Sequence, residues 1–365
     1  MAQADLASDS APHKFSCTWR MVDSPCEDDS HRAILPTQDG DDEDVLNEED
    51  EPLHSNVYGW AVSMVIRDAV WFHRGTHLGC LRAARVINSI AVAFGNIFLQ
   101  VFLLLGIWRL LCSPERNKIR DAYSRYEYLM YPNHTVLNRE GDHRGIPGYR
   151  QDERFQLMSA DAASQVCEIP LSHAAYLTSI ILVWTLTCQV EIRGVIEKLF
   201  QLLARTPTVR SLDAVLTAVE GGEDVHAAKI QGLTMPLKIF IAAFIQIPRF
   251  FANLILLWLG CRWLTATIGL GDVLLNGVAL EFILNLDELL YNVCIAHRNR
   301  IATEKLYIAP FRRLNKATFC TFFDAQIWGI ASLLWTVGYV FYFQQVLPDY
   351  QWDVHDICNT QHFYT

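Results

Sequence analysis

Residues 265–292 read TATIGLGDVLLNGVALEFILNLDELLYN, and the way this stretch folds decides the architecture of the chain. It opens with two glycines in seven residues. It then continues as a long apolar helical pattern holding Glu281, Asp287 and Glu288. If 273–294 crosses a bilayer, the chain has five spans and its ends lie on opposite sides. If it does not, there are four spans and both ends share a side.

Working outward, four further stretches reach the ~20 apolar residues that cross a hydrocarbon layer as a helix. They are 86–108, without a charge; 171–190, with His173 near its start; 239–261, interrupted by Pro248 and Arg249; and 327–347, again uncharged. The chain therefore reads as all-α, a multi-pass helical membrane protein of about five transmembrane helices occupying 56–365. Segments 56–72 and 191–205 are expected as extra helices at the interface, the second because Ile192, Val195, Ile196, Leu199 and Leu203 recur at helical spacing.

The net charge of −10 is unevenly placed, since residues 1–55 carry fifteen acids against three bases. The run QDGDDEDVLNEEDE lacks a core-forming pattern and reads as the end of a disordered acidic arm. Its spacing does not match a calcium loop. Residues 295–326 hold Arg298, Arg300, Lys305, Arg312, Arg313 and Lys316, whereas 348–365 hold no Lys or Arg. The positive-inside rule then puts 295–326 and the amino-terminal arm in the cytosol, with 109–170 and the carboxyl tail outside. Asn133-His134-Thr135 would be a glycosylation acceptor on that outer side. Cys112, Cys167 and Cys358 also fall outside, where two of the three can pair. Cys188, Cys261 and Cys294 read as small apolar packers.

Two groups of residues bear on function. Thr267, Gly269, Gly271 and Asp272, in the order TIGLGD, resemble the selectivity filter of potassium channels. The resemblance implies backbone carbonyls turned toward an ion. The competing reading is the tight outer turn of a helical hairpin, with Gly269 and Gly271 supplying positive φ. The second group lies at mid-span. Glu281, Asn285, Glu288 and Asn292 fall on one helix face, and a charge in hydrocarbon costs about 2.5–3.5 kcal/mol. The face is therefore expected to point at protein or water. Matching depths across an antiparallel hairpin sets Asn253 beside Glu281 and Arg249 beside Asn285, with Arg249 in reach of Glu281. Such a pair reads either as a structural clasp or as part of an ion or proton path.

The stretch GDVLLNGVALEFILNLDELLYNV, followed by a basic loop and an aromatic-rich final span, resembles multi-span membrane proteins of dinoflagellates and related algae, a family without an assigned activity. No P-loop, HExxH, CxxC or Ser/His/Asp arrangement is visible, so neither an enzyme nor a cofactor or metal is expected. Scattered basic residues exclude a nucleic-acid partner. The expected function is passage of a small cation or proton through a polar-lined hairpin, in a homo-oligomer. The alternative is a membrane-anchored interaction protein whose acidic arm recruits cytosolic partners.

Overall fold

A computed structural model describes residues 50–73, 79–138, 141–218, 227–308 and 319–361. The acidic arm up to residue 49 lies outside them, and the described residues belong to one compact unit, Glu43–Thr365. In chain order the elements are strand β1 (Glu51–Pro52), helices α1 (Val57–His73), α2 (Gly79–Ile107) and α3 (Ser113–Met130), strands β2 (Val136–Leu137) and β3 (His143–Arg144), helices α4 (Ala160–Cys167) and α5 (Ala174–Phe200), strands β4 (Leu216–Ala218) and β5 (Ala228–Ile230). Helices α6 (Met235–Ile241), α7 (Ile247–Thr265), α8 (Leu270–Leu284), α9 (Leu286–Cys294) and α10 (His297–Glu304), strand β6 (Leu306–Ile308), and helices α11 (Phe319–Gly338) and α12 (Val354–Gln361) complete the fold.

Among the described residues, four helices are long and apolar enough to cross a membrane: Cys80–Met130, Pro170–Arg205, Met235–Thr265 and Gln326–Phe343. Each extends through a π turn, at Trp108–Cys112, Gln201–Arg205, Ala242–Gln246 and Tyr339–Phe343. The turn at Ala242–Gln246 has a local cause. Pro248 cannot donate a backbone hydrogen bond to the preceding turn, and widening the helix there absorbs the mismatch without breaking it. Helices α5 and α7 pack closely because residue 260 is glycine. A Cβ there would sit 2.4 Å from Nε1 of Trp184, whose indole N–H donates to the carbonyl of Leu257. Outward faces of these helices expose large apolar side chains, among them Phe98, Phe102, Val183, Val190, Phe251 and Leu334.

The bundle has a different construction at each end. At one end, a base, α1 is buried on almost every side by α2, α9, α10 and a small sheet in the order β1-β6-β5-β4. The sheet pairs β1 antiparallel to β6 and β5 parallel to β6. Two expectations are corrected here. The 56–72 segment is the centre of a core and not a surface helix, since Tyr58, Trp60, Met64 and Ile66 are all buried. The fold also contains short strands, and the acidic arm ends earlier than residue 55. Asp50 pairs with Lys229 at 2.9 Å and Glu51 with Lys198 at 3.1 Å, so opposite charges seat the end of the arm on the base.

At the other end, a cap, α3 continues the line of α2 and packs on α4. Two buried carboxylates organise it. Asp353 accepts from the hydroxyls of Tyr123 (3.1 Å) and Tyr131 (2.7 Å). Glu127 accepts from Arg144 (2.7 Å) and from the backbone N–H of Gly145 (3.1 Å). Cys167 and Cys358 form a disulfide tying α4 to α12, while Cys112 is free and buried. Cys188 and Cys261 are buried as expected, but Cys294 is exposed.

Candidate functional site

The filter-like stretch is a turn. Helix α7 closes at Thr265, and the Thr267 hydroxyl donates to the Trp263 carbonyl (2.8 Å) while accepting from the side-chain amide of Asn276 (2.9 Å). Gly269 takes φ +90° and its N–H donates to the Glu168 carbonyl (3.2 Å), anchoring the turn to the cap. Helix α8 starts at Leu270, so Gly271 is already helical and Asp272 lies exposed in the first helical turn. Both glycines were expected at positive φ; only Gly269 is there. An extended row of carbonyls has no place in this geometry.

The two glycines therefore separate on substitution. Gly269→Ala forces a side chain into a backbone region L residues avoid and should cost about 1–3 kcal/mol. Gly271→Ala meets no atom within 4 Å and relieves helix entropy, so it should be neutral or stabilising by about 0.5–1 kcal/mol. Thermal unfolding of the two purified variants checks this. Equal losses would contradict the turn geometry.

From the turn, α8 runs back beside α7 toward the base and α9 continues to α1 and α10. The helix breaks between Leu284 and Leu286, where Asn285 has φ −84° and ψ 12°. A break inside a bundle exposes backbone carbonyls that need donors. Gln100 of α2 supplies them, its amide donating to the carbonyls of Ile283 (3.1 Å) and Leu284 (3.2 Å). One turn earlier on α2, Asn96 donates to the Tyr58 hydroxyl at 2.9 Å.

These side chains border a buried charge cluster. Arg249 on α7 donates to Glu191 of α5 at 2.7 Å and lies 3.7 Å from Asp287 of α9. Its guanidinium stands over the Tyr58 ring, 4.5 Å from the centroid. Arg249 and Asp287 are both more than nine-tenths buried at the side chain, while Glu191 keeps partial exposure. Burial, with the Lys198 and Arg249 charges nearby, lowers the pKa of His54 at the mouth of this cluster. The cluster joins five elements, α1, α2, α5, α7 and α9. Buried polar atoms beside it lack a protein partner: Oδ1 of Asn96, Oε1 of Gln100, Oε1 of Gln246 and Nδ2 of Asn253.

This arrangement corrects the expected clasp. Arg249 is paired with Glu191 and Asp287, not with Glu281. Asn253 is buried on α7 and does not meet Glu281. Glu281, Asn285 and Glu288 point away from the bundle, all exposed, amid exposed Leu274, Leu275, Val278, Phe282 and Leu289. Glu281 lies 11 residues into α8, about 16.5 Å along it at 1.5 Å per residue. The face predicted to be shared is shared, and it is the outer one. Asn133 stands exposed on the cap just before β2. Compared with protein-family models, curated proteins and solved structures, the chain finds no match.

Proposed function

We propose that the chain is a multi-span helical membrane protein that passes a small cation or proton between its own copies, along the outer face of α8 and α9. The apolar outer surfaces of the four long helices favour bilayer over water, because a soluble monomer rarely exposes so much apolar surface. In this reading α8 and α9 together form a fifth pass, broken at Asn285. The base faces the cytosol, with Arg298, Arg300 and Lys305 at its edge, and the cap faces outside. The Cys167–Cys358 disulfide and the exposed Asn133 acceptor suit that outer side.

The observation that carries the proposal is the outward position of the Glu281, Asn285 and Glu288 stripe, flanked by exposed apolar side chains of α8 and α9. Facing lipid, the charge alone costs about 2.5–3.5 kcal/mol. A second copy presenting the same face cannot neutralise glutamate with glutamate. Water or cations relieve the stripe, as in a path enclosed by several copies, whereas in lipid Glu281 would have to take up a proton. Among the described residues, the cavity beside Arg249 holds only about 20 Å³.

The anchor reading keeps one supporting observation: the base is a folded platform that holds Asp50 and Glu51 through Lys229 and Lys198. Purified protein reconstituted in liposomes separates the two. Potassium, sodium or proton flux above empty vesicles is expected. Vesicles that contain assembled protein yet pass none of these ions would leave the anchor.

A further inference from the structure

A cavity of about 410 Å³ opens at the base between α1, the first turns of α2, the β4–β5 edge and α10. Among the described residues four arginines line it, Arg67, Arg82, Arg85 and Arg298, with Asp68 as the one carboxylate. Arg85 is committed to Asp68 by an ion pair, and Arg67 donates to the Ala302 carbonyl at 2.8 Å. Arg82 is held in place by stacking on Trp71, 4.7 Å from the ring centroid, and its Nη1 is buried without a hydrogen-bond acceptor. The Thr217 hydroxyl at the same wall is likewise buried without a partner. Arg298 forms no ion pair among the described residues. The charge excess of the described lining is three, in a space of the size ligand pockets occupy.

We infer that this cavity binds the phosphate groups of an anionic phospholipid headgroup. Guanidinium groups converging from several elements suit a multiply charged, oxygen-rich ligand, since each can give paired N–H donors to one phosphate. The amino-terminal turns of α2 add the positive end of a helix dipole on the same wall. Phosphate chemistry alone could come from free anions, and position favours lipid. Arg85 immediately precedes the charge-free 86–108 stretch, which sets the cavity at headgroup level. Trp71 at its rim is exposed, the placement aromatic residues take at a membrane interface. Basic pockets beside spans on the cytosolic side are the expected form of such sites. The inference rests on α2 crossing a bilayer but not on conduction, so a silent flux assay would leave it standing.

The test uses the full chain in neutral detergent, with thermal unfolding as readout, because a ligand that binds the folded state raises its melting temperature. The probes are dioctanoyl phosphatidylinositol bisphosphate, dioctanoyl phosphatidylcholine and inorganic phosphate. A saturable rise with the first and none with the second is expected. Arg298→Gln, which breaks no hydrogen bond or ion pair among the described residues, should weaken the apparent affinity about tenfold, and Arg82→Gln with it roughly a hundredfold. Arg193→Gln, on a distant surface pair with Glu197, should leave the affinity unchanged. Inorganic phosphate giving the same shift at the same concentration would overturn the lipid assignment. No shift with any anion, or an undiminished shift in Arg298→Gln and the double variant, would overturn the site.

Discussion

Arg249→Met is expected to lower stability by about 3–5 kcal/mol, the cost of stranding a buried ionic partner. Two carboxylates lose their counter-charge at once, Glu191 at 2.7 Å and Asp287 at 3.7 Å. They do not suffer equally. Glu191 keeps partial exposure and can recover hydration, whereas Asp287 is enclosed and must protonate or open the packing of α9 against α1. The double variant Arg249→Met with Asp287→Asn should therefore regain a large part of the loss. Arg249→Met with Glu281→Gln should be the sum of the two separate effects, since those residues do not touch. A double-mutant cycle on unfolding free energies measures both couplings. Strong coupling of Arg249 to Glu281, with none to Asp287, would contradict the described site.

Glu281→Gln is expected to cut cation flux at least about tenfold, with assembly and thermal stability nearly unchanged. The stability part follows from geometry, because the exposed carboxylate makes no contact that Gln would forfeit. The flux part follows from electrostatics. A ring of carboxylates in a narrow path raises the local cation concentration by about 10–10³, and amides do not. For protons the same change removes the titratable group itself. Glu281→Asp keeps the charge one methylene shorter and should retain most of the flux. Unchanged flux in Glu281→Gln, with assembled protein in the vesicles, would place the path elsewhere.

The contrast between these two residues marks what can be read from sequence. The charge-free windows identify the long helices because length and apolarity suffice for that. Spacing also shows that Glu281, Asn285 and Glu288 share a face. It does not say which face, because periodicity is the same whether a stripe points inward or outward. The break at Asn285 leaves that stripe continuous, with Glu288 exposed, while Asp287 lies on the opposite side of α9 and is buried. Glu191 was missed as a partner for a simpler reason. The apolar window ends at Val190, one residue before it, while the helix continues to Phe200. Depth matching therefore compared Arg249 only with charges inside the windows. The base sheet was illegible because strands of two or three residues carry no alternation to detect.

The central claim, that the outer face of α8 and α9 meets water between copies, is tested most directly by thiol accessibility. Cys80 and Cys294, exposed among the described residues, and Cys17, Cys26 and Cys320 would first be replaced by Ser, and Cys then introduced singly at Asn285 and at Leu275. Both positions are exposed on α8–α9, one on the polar stripe and one on its apolar flank. In liposomes, a membrane-impermeant cationic thiol reagent should modify Asn285→Cys rapidly and block its flux, while Leu275→Cys stays unreacted. Equal protection of both positions, with flux intact, would show that the stripe faces lipid or packed protein and contradict the proposed path.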